Sequence, residues 1–236
     1  LWVRYFVILG DNFVDRVEGP QCLTGELGEA WRKTELLLRC AYLGTATPHP
    51  KSSQVFLPMH AAAAIDCPRP VVKLATIIYK EHLTHRDEEG MTPLLIAANT
   101  PVYKVRDLSD DGYMLEDRIH GDEEYEEMAY EEDVDSSQES VIDILMDAAP
   151  RAASIGDRYG RLPLHLAIAS GKRWHQGVRA ILDGFPDALT YANRVDGFVP
   201  FLSASVVNRP DTGTIFELLR RDPALLRHYE EHALRT

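Results

Sequence analysis

Few side chains in this sequence have types and spacings that chemistry could use. His82 and His85 stand three apart and are followed by Asp87, Glu88 and Glu89, the donor types of a metal site at a helix end and turn. Spacing specifies no further ligand, and the same stretch fits a solvated turn. Asp107, Ser109, Asp111 and Gly112 fall where a calcium loop needs them, but Arg118 stands where its bidentate glutamate belongs. A cation in place of the strongest ligand argues against that site. His60 and His165 have no base, nucleophile or metal partner at useful spacing. For these two the expectation is an imidazole hydrogen-bonded to nearby backbone. Glycine-rich phosphate loops, a serine-nucleophile elbow and paired-cysteine zinc spacing do not occur in the sequence. No catalytic residue, metal site or cofactor is therefore assigned, and the chain is expected not to be an enzyme.

The strongest charge feature is acidic. Between Pro101 and Gln138 there are 14 acidic and 3 basic residues, nearly all of the chain's net −12. The remainder is close to neutral. Nucleic acid and anionic membrane are expected to be poor partners, because both require phosphate neutralised by Lys and Arg. Within the run, Glu123, Glu124, Tyr125, Glu126, Glu127 and Tyr130 could dock a basic partner, the tyrosines adding contact area. The same composition also describes a solvated excursion that repels itself. Ser136 and Ser140 each have an acid three residues on, a pattern acidophilic kinases accept, and Ser136 with Glu139 reads as a capping box.

The elements that hold these residues repeat. Leu57-Pro58-Met59-His60-Ala61-Ala62 is matched by stretches around Pro93, Pro163 and Pro200, the prolines lying 35, 70 and 37 residues apart. Proline at the first helical position loses no hydrogen bond, and its φ already suits a helix. Each marker therefore predicts a short first helix. Second helices end before Pro150, Pro186 and Pro223, with apolar residues eight, five and four positions earlier. These are Ile142, Leu145 and Met146; Val178, Ile181 and Leu182; and Ile215, Leu218 and Leu219. In the first repeat His82 is expected to fill the proline position, with Leu74, Ile77 and Ile78 as the stripe. The doubled interval places the acidic segment inside the second repeat, between helix one (Pro93 to about Asn99) and a helix two starting near Ser137. A period of this length means a stacked array.

Gly90-Met91-Thr92-Pro93-Leu94-Leu95-Ile96-Ala97 and Gly160-Arg161-Leu162-Pro163-Leu164-His165-Leu166-Ala167 resemble the turn and Thr-Pro-Leu-His-x-Ala opening of an ankyrin repeat. The resemblance covers roughly residues 54–232. Thr is kept only at Thr92 and His only at His60 and His165, and Pro-x-Ala patterns replace the family's Gly-Ala-Asp ending. It implies an all-α, ankyrin-type helix-turn-helix solenoid of about four repeats. These lie near 54–88, 89–157 (with the acidic insert 101–137), 158–195 and 196–236, within an array spanning 51–236. Residues 1–50 are expected to form a helical hairpin that caps it. There Leu27, Ala30, Trp31, Thr34, Leu37, Leu38, Ala41 and Tyr42 recur at helical spacing between a Thr24 N-cap and Gly44. Ala62, Ala97, Ala167 and Ala204 are expected at the contacts between first helices. Ligands of the family meet the turns projecting between repeats. In this sequence those are Arg86, Asp87, Glu88 and Glu89; Asp157, Arg158 and Tyr159; and Asn193, Arg194 and Asp196.

The resemblance implies a non-catalytic scaffold or adaptor, expected to be monomeric, whose partner is another protein. The alternative is the targeting or regulatory region of a larger enzyme. The chain opens on Leu1 rather than Met, which fits a fragment or a processed product. No apolar run is long enough to span a membrane. Cys22, Cys40 and Cys67 are an odd, unclustered set, which fits an intracellular protein.

Overall fold

The computed structural model describes residues 24–45, 56–65, 67–101, 139–207 and 210–223. Every regular element among them is helical, with no strand among the described residues, so the chain is all-α. No helix among them is long and apolar enough to cross a membrane.

Helix α1 (Gly25–Thr45) starts directly after Thr24 and buries Ala30, Trp31, Thr34 and Leu38. Gly44 lies inside its last turn rather than ending it, a small correction to the expected boundary. Residues 1–23 lie outside the described residues, so α1 is the one limb of the expected hairpin that can be placed. It packs against α2 (Pro58–Ala64). Trp31 Nε1 also donates to the Tyr79 hydroxyl at 3.3 Å, just past the end of α3 (Arg69–Ile78).

The helices form two rows. The first contains α1, α2, α4 (Pro93–Asn99), α6 (Pro163–Ala169) and α8 (Pro200–Val206), each packed on the next. The last four of these begin at a marker proline. Ala62, Ala97, Ala167 and Ala204 are buried along this row, where a side chain no larger than a methyl lets neighbouring backbones approach. In the second row, α3 packs on α5 (Val141–Ala148) and α5 on α7 (Arg179–Gly184). Helix α9 (Thr212–Arg221) packs on α8 and on the wide turn Trp174–Val178 that leads into α7. One helix pair cannot bury its own apolar face, so this stacking is what supplies the core.

A 3-10 segment follows each of the first three second-row helices: Lys80–Thr84, Pro150–Ser154 and Pro186–Thr190. Proline opens two of them, and Lys80, not His82, opens the other. The first-repeat register is thus corrected by two residues. At the corresponding offsets stand Val72, Ala75 and Thr76, all buried, in place of Leu74, Ile77 and Ile78. The error has a physical origin: α3 is apolar on most of its circumference, Leu74 and Ile78 being buried as well. With no proline to mark the end, two stripes on one helix were equally readable.

The second repeat carries another correction. Its second-row helix begins at Val141, not near Ser137, and the capping box is Ser140 with Asp143, not Ser136 with Glu139. Asp143 N–H donates to Ser140 Oγ at 3.1 Å, and Asp143 Oδ2 accepts from Ser140 N–H at 2.8 Å. Glu139 is instead held by α3: Lys73 Nζ lies 2.7 Å from its carboxylate, and Arg69 Nε donates to its carbonyl. On the other side of the insert, the Lys172 ammonium donates to the Thr100 carbonyl at 2.8 Å. Thr100 and Glu139, on either side of the acidic segment, are therefore tied to the helical frame.

Candidate functional site

Three turns project between successive first-row helices, and their backbones close alike. Asp87 N–H donates to Met91 O, and Gly90 N–H to Asp87 O; Asp157 with Arg161, and Gly160 with Asp157, repeat the pair. The third turn is one residue longer, with Asn193 bonded to Phe198 O and Gly197 to Asn193 O. Gly90, Gly160 and Gly197 have φ near +80°, +76° and +76°, a region that disfavours residues with a Cβ.

The leading residue of each turn is taken up by the turn. Asp87 Oδ1 accepts from Glu89 N and Met91 N at 2.9 and 2.8 Å. Asp157 Oδ1 does the same for Tyr159 N and Arg161 N, while its Oδ2 pairs with Arg161 Nε at 2.7 Å. Asn193 Oδ1 accepts from Val195 N at 3.0 Å, and its amide donates to Asp196 Oδ2 at 2.9 Å. Asp196 Oδ1 in turn accepts from Phe198 N. These short polar side chains bond to backbone a few residues on, as in Asx turns. Asp157 and Asn193 are buried. Of the ten turn residues expected to meet a partner, Asp87, Asp157, Asn193 and Asp196 thus shape the tips, and Arg86, Glu88, Glu89, Arg158, Tyr159 and Arg194 stand exposed on them.

Two histidines anchor the turns from below. His165 Nδ1 accepts from Leu162 N–H at 3.0 Å, and its Nε2 lies 2.9 Å from Tyr191 O. An accepting Nδ1 fixes the proton on Nε2, so the ring caps α6 and donates to the base of the third turn. His60 Nε2 lies 3.1 Å from His85 O and 3.2 Å from Met91 O, both flanking the first turn, whereas its buried Nδ1 has no partner among the described residues. Burial lowers the pKa of both rings; the Asp87 charge opposes this at His60, and the bond to Tyr191 at His165. Leu95 occupies the equivalent position of the second repeat, and there Thr92 Oγ1 caps α4 by accepting from Leu95 N–H at 3.3 Å. The middle turn is braced by the Asp157–Arg161 pair instead.

The middle turn presents Tyr159, 52% exposed, with the Arg158 and Arg161 guanidiniums 5.1 and 5.3 Å from its ring centre. Two cations against one ring hold it in place. Arg161, Tyr191, Val195 and Phe198 also reach this surface and were not singled out from sequence. The signal was available: Met91, Arg161 and Phe198 each follow a turn glycine, so comparing the three turns position by position would have found two of them.

His82 and His85 lie 6.2 Å apart, ring to ring, and no group of His, Cys, Asp or Glu among the described residues is arranged to hold a metal. Asp107 to Arg118, Glu123, Glu124, Tyr125, Glu126, Glu127, Tyr130 and Ser136 lie outside the described residues. Ser140 is the α5 cap. A groove of about 560 Å³ runs past Met146, Pro150, Trp174 and Asp183. Arg221 contacts two of its lining residues, lying 5.5 Å from the Trp174 ring centre and 2.8 Å from Asp183 Oδ1. No family model matches this chain, and no curated protein matches it in sequence.

Proposed function

We propose that this chain is a non-catalytic protein-interaction module: an ankyrin-type helix-turn-helix solenoid of about four repeats that binds another protein through its row of turns. The observation that supports this reading is that turns 87–91 and 157–161 share one hydrogen-bonded frame, turn 193–198 closes by a one-residue-longer version of it, and all three differ in the side chains they project. A repeated frame with varied tips holds recognition residues rigidly without specifying what they recognise. Tyrosine and arginine on the middle and third tips are types enriched at interfaces.

The test uses the whole chain as bait, with and without residues 101–137, and a variant carrying Tyr159→Ala with Arg194→Ala. A partner retained by the parent and lost by the double variant, with unchanged thermal unfolding, supports the reading. Equal capture by parent and variant refutes the turn placement. Capture that depends on residues 101–137 alone assigns binding to the acidic insert.

A further inference from the structure

The row of turns has a chemical pattern beyond a generic protein contact. Arg86 Nη1 donates to Gly90 O at 2.9 Å. A Cβ placed on Gly90 would lie 3.5 Å from Arg158 Cβ, and one placed on Gly160 would lie 2.8 Å from Arg194 Cδ. Each turn thus lends an arginine, and the later two lie against the glycine of the turn before. The three cross the stack as a stripe. Among the described residues, none of the three is in an ion pair; the one paired arginine of the turns is Arg161. Tyr159 stands in the middle of the stripe, and Val195 and Phe198 are exposed on the third turn. The carboxylates nearby are Glu88 and Glu89 on the first turn, Asp87, whose Oδ1 accepts two bonds of that turn, Asp157, which pairs with Arg161, and Asp196, whose two oxygens already accept bonds within its own turn.

Resting on the reading above, we propose that the row of turns docks an extended acidic protein segment, its carboxylates meeting Arg86, Arg158 and Arg194 in succession and an apolar side chain lying against Tyr159. The periods match. Packed helices sit about 8–10 Å apart, and the turns inherit that step. An extended chain advances about 3.3 Å per residue, so every third residue meets the next arginine. A guanidinium without a carboxylate partner can form two parallel bonds to an incoming one, and at Arg86 the bond from Nη1 to Gly90 O leaves the Nε–Nη2 edge for them. Glu88 and Glu89 repel acid at one end, so the acidic stretch terminates at Arg86. Nucleic acid is disfavoured, because its affinity depends on many neutralised phosphates and the chain as a whole carries −12.

The test is fluorescence anisotropy on the full chain with a labelled twelve-residue peptide carrying glutamate at every third position and leucine and serine between. A glutamine counterpart and a labelled single-stranded RNA are run beside it. The glutamate peptide is expected to bind more tightly than the glutamine peptide by about tenfold, and Arg158→Gln with Arg194→Gln to remove that advantage. Arg158→Glu with Arg194→Glu is expected to gain affinity for the lysine counterpart, a rescue that a merely unfolded variant would not give. Equal affinity for the glutamate and glutamine peptides, or preference for RNA, overturns the proposal. An array of unbiased twelve-residue peptides separates the two levels. Neutral or basic peptides that need Tyr159 overturn the acidic segment and leave the turn surface standing. No peptide sensitive to any turn substitution overturns both.

Discussion

Replacing His165 with leucine tests how the turns are held. Leucine is apolar and fills similar space, so the change removes hydrogen bonds with little cavity. Two groups lose their partner: the buried Leu162 N–H, which donates to Nδ1 at 3.0 Å, and the Tyr191 carbonyl, which faces Nε2 at 2.9 Å. Leaving a buried donor unmade costs about 1–3 kcal/mol, and losing the half-exposed bond to Tyr191 adds about 0.5–1.5 kcal/mol. His165→Leu should therefore destabilise by about 2–4 kcal/mol. His60→Leu should cost about 1 kcal/mol or less, because loss of the Nε2 contacts to His85 O and Met91 O is offset by removal of a buried Nδ1 that has no partner among the described residues. The measurement is urea unfolding followed by far-UV circular dichroism at pH 7.5. The same ring sets a pH dependence. Burial depresses the His165 pKa, so the unfolded chain takes up a proton first as pH falls. Stability is complete above the unfolded histidine value of about 6.5 and is lost as pH falls through the folded one. A proton on Nδ1 would also face the Leu162 N–H, donor against donor. Repeating the titration at pH 5.5 should show a smaller loss for His165→Leu than for the parent. Equal costs for the two histidines at neutral pH, or an unchanged acid loss in His165→Leu, would refute the capping account.

Three further outcomes follow from single contacts. Gly177 has φ +104°, and a Cβ there would lie 2.5 Å from Ile142 Cβ, so Gly177→Ala should destabilise by about 2–5 kcal/mol through backbone strain and overpacking. Adding Ile142→Ala should not rescue it, because alanine keeps the Cβ that the new methyl meets first, and thermal unfolding of the double variant checks this. Burial pushes the Lys172 ammonium from 10.5 down to about 8, which corresponds to a burial cost of about 3 kcal/mol at neutral pH. Losing the bond to the Thr100 carbonyl offsets about 1 kcal/mol of that, so Lys172→Met should raise stability at pH 7 by about 1–2 kcal/mol. With a depressed lysine pKa the parent gains stability as pH rises from about 8 to 10.5, and Lys172→Met should lack that rise. Ser140→Ala should cost about 1 kcal/mol of cap energy. Ser140→Glu should lower the melting temperature further, because Ser140 Oγ sits 2.7 Å from Asp143 Oδ2 and an added anion there meets like charge.

Much of the helical frame was legible in the sequence because local rules and packing agree there. Pro58, Pro93, Pro163 and Pro200 each open a first-row helix, as the fixed φ of proline requires. Ile142, Leu145, Met146, Val178, Ile181 and Leu182 are buried at the offsets read from Pro150 and Pro186. The reading slipped in the first repeat, where Lys80 replaces proline and α3 has apolar residues around most of its surface. It also missed the wide turn at Gly177. A side chain at that residue is excluded by Ile142, thirty-five positions earlier, and no local rule reports such a contact. In the turns, residue types pointed to the right segments but not to the right division of labour. Asp87, Asp157 and Asn193 look as exposed in sequence as Glu88, Arg158 and Arg194. What separates them is whether a backbone N–H two residues on, or for the two aspartates also four residues on, lies within reach, and this is decided by the backbone of the turn.

The histidines connect the frame to the surface. His165 belongs to the buried marker of α6, yet its Nε2 reaches the base of the third turn, whose tip carries Arg194 and Val195. A core substitution there should act on the surface without touching it. If His165 holds that turn in place, His165→Leu should lower amide-exchange protection across residues 191–198 while protection in α4 stays at the parental level. The mechanism is local: the lost bond frees one carbonyl at the turn's base, and α4 has its own cap from Thr92. Uniform loss of protection through all helices would mean that the ring serves global packing alone. Loss confined to the third turn would mean that the marker residue, repeated for stacking, also sets the geometry in which Arg194 is presented.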